Sequence, residues 1–117
     1  RYYLLSSYRW VRKLREKRPH PLVEIHPDTA SRYGIADGDE VIIETRYGAI
    51  TQRACVTDII HPRVVSAALG WWFPESSPET QYDWRKSNFN MMTSMEKLGK
   101  EFGTPNITNL PCRIRKA

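Results

Sequence analysis

The sequence predicts a mainly β domain: about six short strands, one or two short helices and long loops between them. Three observations lead there. Apolar and polar residues alternate in Val23–Ile25, Val41–Thr45 and Ala49–Thr57, the period of half-buried strands. Turn chemistry punctuates these runs at Gly34, at Asp37-Gly38-Asp39 and at Tyr47-Gly48. Further short apolar runs, Tyr2–Ser6, Val64–Leu69 and Leu110–Ile114, supply the remaining strands. Strands in this number usually close on themselves to remove their edges, so a small barrel is expected.

The elements follow in order. Tyr2–Ser6 reads as a strand ending in Ser6-Ser7-Tyr8-Arg9. Hydroxyls and a guanidinium at a strand end are donors suited to a phosphate. Trp10, Val11 and Leu14 have helical spacing, so 10–18 is a basic turn of helix or an ordered loop, ended by Pro19 and Pro21. After strand Val23–Ile25, Pro27 suits the first helical position and Asp28 the first turn, giving a short helix to Tyr33 that stops at Gly34. Val41, Ile43 and Thr45 face one way. In the next strand Ile50, Gln52, Ala54 and Val56 share a face.

Gly70-Trp71-Trp72-Phe73-Pro74-Glu75 follows the Val64–Leu69 strand. Adjacent side chains point to opposite sides of an extended chain, so at least one of the three aromatics should line a pocket or an interface. Residues 76–86 read as a long loop. Asn88 is a plausible N-cap for a helix over Phe89–Leu98, and the amides of Asn88 and Asn90 can read the edge of a heterocycle. Gly103-Thr104 is turn chemistry, and Arg115-Lys116 form a basic tail.

The chain of 117 residues is expected to be one domain over 1–117. It lacks an initiating Met and a signal-like segment, so it reads as a piece of a longer polypeptide. No apolar run is long enough for a membrane helix, so no membrane insertion is expected. The net charge is +5. Arg1, Arg9, Arg12, Lys13, Arg15, Lys17 and Arg18 face a single carboxylate, Glu16, so the N-terminal arm carries that surplus. Such an arm calls for an anionic partner. A nucleic-acid reading rests on the arm alone, without a recognisable motif, and is set aside. Cys55 and Cys112 read as buried free thiols. His20, His26 and His61 each precede a proline and have no metal-ligand spacing. There is no Gly-rich phosphate loop, GxSxG or HExxH, so no catalytic residue is assigned.

The run PLVEIHPDTASRYGIADGDEVIIETRYGAI, with GWWFPE, SNFNMMTS, GTPNI and CRIRK after it, resembles the C-terminal molybdopterin-dinucleotide-binding domain of the dimethyl sulfoxide reductase family of molybdenum and tungsten oxidoreductases. The resemblance implies a double-psi β-barrel that holds the nucleotide end of a bis(molybdopterin guanine dinucleotide) cofactor, with Mo or W ligated by other domains. The fragment alone would then catalyse nothing. Its partners would be an iron–sulfur electron-transfer protein and other domains of the same catalytic subunit.

By the same resemblance, Ser6, Ser7, Tyr8 and Arg9 occupy the place of a Thr-Gly-rich motif ending in Arg, with Ser7 where Gly is usual. Trp71, Trp72, Phe73 and Glu75 match the loop that approaches the pterin. Asn88 and Asn90 match an Asn-x-Asn, and Gly103 and Thr104 a late Gly-Ser or Gly-Thr turn. Thr108 or Asn109 falls where many relatives carry a lysine. The aromatic-His-Ser segment usual after the Arg is missing. A different class, the double-psi adaptor domain of AAA ATPases, shares the GI.DGD.V turn and binds protein partners. GWWFPE and SNFN have no role in such an adaptor.

Overall fold

The computed structural model describes residues 7–96, 98–105 and 108–117. The chain runs α1 (Arg12–Lys17), β1 (Leu22–Ile25), α2 (Pro27–Arg32), β2 (Glu40–Thr45), β3 (Gly48–Val56) and β4 (Val65–Ala67). A 3-10 segment (Pro78–Asp83), α3 (Trp84–Ser87), a 3-10 turn (Phe89–Met92) and β5 (Arg113–Lys116) complete it. The five strands form one sheet in the order β4-β1-β3-β2-β5, with only β1–β3 parallel.

Each element follows from its residues. Pro27 opens α2, and the His26 ring caps it by accepting from Asp28 N at 3.2 Å. Gly34 ends the helical stretch at φ +63, where a Cβ would be strained. The turn Asp37-Gly38-Asp39 packs on β3: Gly38, at φ +84, donates to Ala54 O, and Asp37 Oδ1 accepts from Val56 N at 2.8 Å. Asp39 Oδ2 accepts from Ala36 N and binds Lys116 Nζ, each at 2.8 Å, tying the turn to β5. The core lies where the inward residues of the strands meet α2: Val23, Ile25, Val41, Ile43, Ile50 and Ala54 against Ala30 and Ile35.

The mainly β architecture with short helices is as expected. Among the described residues there are five strands, and β4 and β5 are edges of an open sheet rather than neighbours in a closed one. The expected strand Tyr2–Ser6 lies outside the described residues. A cavity of about 660 Å³ lies on one face of the sheet, lined both by Val65–Ala67 of β4 and by Ile43 and Thr45 of β2.

Four local expectations are corrected. The helix over Phe89–Leu98 is a single 3-10 turn, because Thr45 Oγ1 takes Met92 O at 2.8 Å and Leu98 instead bridges to Pro105. The loop 76–86 contains Pro78–Asp83 and α3. The last strand starts at Arg113 and runs through the basic tail, because Ile43 pairs with Ile114 and Val41 with Lys116. The cysteines are free but not buried: Cys55 is half-buried and Cys112 exposed.

Asp39 gives the fold a pH dependence. The Lys116 ammonium, then Ala36 N–H, holds its carboxyl below the ordinary value. Its folded-state stabilisation is therefore complete above the ordinary aspartate pKa of about 3.9, and is lost as pH falls through the lower folded value. Urea titrations should show Asp39→Asn destabilising at neutral pH, with the difference from wild type shrinking as the solution is acidified.

Candidate functional site

The arm, the aromatic loop and the Asn-x-Asn segment meet beside the sheet. Gln52, in the inward register of β3 and 1 % exposed, sets two of them. Its Nε2 donates to Ala68 O at 2.9 Å and to Ser87 O at 3.0 Å, and its Oε1 accepts from Ala68 N at 2.8 Å. Ser87 Oγ also donates to Thr51 O at 2.6 Å. The chain thus enters the aromatic loop and the Asn-x-Asn segment from two points fixed on one strand. Gly48 sharpens the second: a Cβ there would collide with Met91 O, so only glycine lets β3 lie against the 3-10 turn.

Trp71 is fully buried and Trp72 half-buried. Trp72 packs edge-on against Trp10 of the arm at 4.7 Å and against Tyr82 at 5.7 Å. Phe73 lines a separate cleft on the outer face of the sheet. At least one of the three aromatics thus lines a pocket, as expected.

Arg9 fastens the arm to this loop. Its guanidinium stacks 3.9 Å from the Trp71 ring centroid. Nε donates to Trp72 O at 2.7 Å, across 63 residues of sequence, and Nη1 to Arg18 O at 3.2 Å. Nη2 lies 3.6 Å from Glu75 Oε1, within ion-pair reach but beyond a hydrogen bond. Arg15 donates to Arg9 O and stands 4.0 Å from the other Glu75 oxygen. Burial pushes the Arg9 pKa down, Glu75 opposes that, and Arg15 adds to it. His20 at the end of the arm is also pushed down, by burial and then by Arg53 and Arg9. Arg9 Nη2, Arg18 Nε and Trp71 Nε1 are buried donors without a hydrogen-bond acceptor among the described residues.

Asn88 Nδ2 donates to Trp71 O at 3.3 Å, while its Oδ1 caps the following turn by accepting from Asn90 N at 3.0 Å. The Asn90 residue is exposed. The structure thus joins Arg9, Trp71, Trp72, Glu75 and Asn88 in one cluster, with Ser7 and Tyr8 exposed on the arm and Asn90 exposed beside Asn88. Ser6 lies outside the described residues. Gly103 and Thr104 sit in a turn closed on Gly99, and Asn109 lines the 660 Å³ cavity. Neither segment bonds to the Arg9 cluster among the described residues. No metal-binding group of His, Cys, Asp and Glu occurs among the described residues.

Sequence reasoning passed over Gln52, Trp10 and Tyr82, and took Arg15 and Arg18 only as charge of the basic arm. Of the three, Gln52 left a usable signal, a polar residue between Ile50 and Ala54 in the buried register.

A family model described as the molydopterin dinucleotide binding domain matches residues 1–110. A dopamine dehydroxylase of Eggerthella lenta is 34% identical over 115 residues, covering 98% of this chain and 11% of its own. A putative dimethyl sulfoxide reductase catalytic subunit of Halobacterium salinarum is 39% identical over 67 residues, 57% of this chain and 8% of its own. The acetylene hydratase of Pelobacter acetylenicus superposes with a TM-score of 0.88 at 26% identity, over 96% of this chain and 16% of that one. The chain thus spans about a tenth of the length of the curated relatives it matches.

Replacing Gln52 by Leu leaves Ala68 O and Ser87 O without their donor. Urea unfolding of the domain should show a loss of about 2–3 kcal/mol. Arg9→Ala should release the arm, seen as roughly tenfold faster tryptic cleavage at Arg12–Arg18, and Arg9→Lys should recover little, since an ammonium cannot span the same acceptors.

Proposed function

The chain belongs to the molydopterin dinucleotide binding domain family of molybdenum and tungsten oxidoreductases, and from that premise we propose that the arm and the aromatic loop grip the nucleotide end of a bis(molybdopterin guanine dinucleotide). The observation that carries this reading is the Arg9 cluster. It brings three segments distant in sequence to one place, concentrates positive charge there, and leaves donors buried without acceptors. A group bringing phosphate and ring-carbonyl oxygens fits that donor set. The match over residues 1–110 favours this reading over the adaptor class.

When bound, the cofactor supplies the redox chemistry at its metal, which other domains ligate. The residues of this chain bind and orient. Arg9 Nε and Nη1 are spent on Trp72 O and Arg18 O, so it holds the arm in place and adds its charge to the field there, with Nη2 left as a donor without a hydrogen-bond acceptor among the described residues. Ser7 and Tyr8, exposed on the same arm, offer their hydroxyls to phosphate oxygens. The exposed Asn90 amide has both a donor and an acceptor for a ring edge. Trp71 contributes its indole N–H, and Trp72 flanks the site from a ring cluster with Trp10 and Tyr82. Glu75 neutralises Arg9 and Arg15. Phe73, Gly103, Thr104 and Asn109 stand apart from this cluster and take part only as outlying contacts along an extended ligand; Ser6, outside the described residues, remains a hydroxyl candidate by its place in the sequence motif.

Residues 1–117 form one domain of a longer catalytic subunit, catalyse nothing alone, and work with the other domains of that polypeptide. An iron–sulfur electron-transfer subunit completes the assembly in this reading.

Asn90→Ala in the full-length enzyme tests it. Asn90 is exposed, so the fold should persist, and guanine nucleotide released per polypeptide by acid should fall severalfold. Unchanged nucleotide and metal content in this variant and in Arg9→Ala would refute the assignment.

A further inference from the structure

A second charged feature lies outside the Arg9 cluster. The outer face of β2 and β3 forms a cleft of about 520 Å³, walled on one side by α3. Arg53, Arg115, Arg85, Lys86 and His20 line it, with Glu40 as the sole carboxylate. The strand register explains the convergence. Arg53 of β3 faces Glu40 of β2, and Arg115 of β5 faces Ile42 of β2, so the guanidiniums flank β2 on one face of the sheet. Ile42, Ala49, Pro21 and Phe73 supply an apolar floor.

These cations are little compensated. Lys86 pairs with Asp83 at 2.9 Å, and Arg85 lies 5.4 Å from the Trp84 ring centroid. Arg53 and Arg115 have no ion pair or side-chain hydrogen bond among the described residues. His20 next to them is pushed toward its neutral form by burial and by Arg53, as expected where positive charge is concentrated.

We propose that this cleft is a docking surface for an acidic segment from elsewhere in the same catalytic polypeptide. The geometry favours an extended chain over a compact anion: β2 and β3 direct their backbone N–H groups into the sheet ladder, so those strands form no nest of convergent donors. The one amide lining the cleft, Gln52, is spent on Ala68 and Ser87. Long side chains spread over two strands and a helix instead suit carboxylates spaced along a chain, with its apolar side chains on the floor. The partner is placed in the same polypeptide because this chain spans only about a tenth of the relatives it matches. To that extent the inference rests on the family reading.

Zero-length carbodiimide cross-linking of the full-length enzyme, followed by peptide mass spectrometry, tests it. Lys86 is the reporter amine, and its link to Asp83 is the internal control. Lys86 should link to an Asp or Glu outside these 117 residues but in the same polypeptide. The double variant Arg53→Gln/Arg115→Gln should lower that yield about tenfold, with the Lys86–Asp83 link and the bound nucleotide unchanged. A Lys86 linked only to Asp83, a link to a different polypeptide, a yield insensitive to the double variant, or one suppressed by added guanine nucleotide would each overturn the proposal. Loss of bound nucleotide in the double variant would also overturn it, by assigning the cleft to the cofactor. Nucleotide lost in Asn90→Ala but kept in the double variant separates the two sites.

Discussion

The structure depends on one buried amide. Gln52 sits among Ile50 and Ala54 in the core register of β3, where a polar side chain survives only if it is hydrogen-bonded. It meets that requirement by fixing two loops at once, holding Ala68 before the aromatic loop and Ser87 before the Asn-x-Asn segment. A leucine of similar size would fill the space but anchor neither loop. Gly48 and Thr45 extend the same logic, one by lacking a side chain against Met91 O, the other by bonding Met92 O. The site is thus carried by the sheet, although most of its residues lie on loops.

The second constraint is electrostatic. A basic arm repels itself, and α1 buries none of its residues, so little apolar packing holds it. Arg9 supplies the attachment by stacking on Trp71, bonding Trp72 O and sharing Glu75 with Arg15. Glu75 offsets part of the arm's charge without cancelling it. What remains is an ordered positive surface beside exposed hydroxyls and an exposed amide. That combination is suited to holding a polyanionic ligand still.

Much of the fold was legible because it is written locally. The alternation in β1, β2 and β3, the proline-started α2 and the Asp37-Gly38-Asp39 turn each follow from a few neighbouring residues. Expectations failed where distant contacts intervened. The helix expected over Phe89–Leu98 stops at Met92 because Thr45, 47 residues away, takes its carbonyl. The last strand, expected over Leu110–Ile114, lies at Arg113–Lys116, because pairing with β2 draws in the cations that read as a tail.

The sequence by itself determined the strand pattern, the charged arm and the set of residues able to meet a phosphorylated ring, because side-chain chemistry and periodicity are properties of the chain alone. Tertiary structure alone decided which of those groups remain available. Arg9 looked like a free phosphate donor, yet it is 2 % exposed and committed to a carboxylate and to carbonyls, one of them 63 residues away. Arg115 read as part of a basic tail, yet it and Arg53 flank one strand. Both outcomes have the same physical reason: a donor's availability is set by the acceptors folding brings within about 3 Å, and those come from parts of the chain that no local pattern connects.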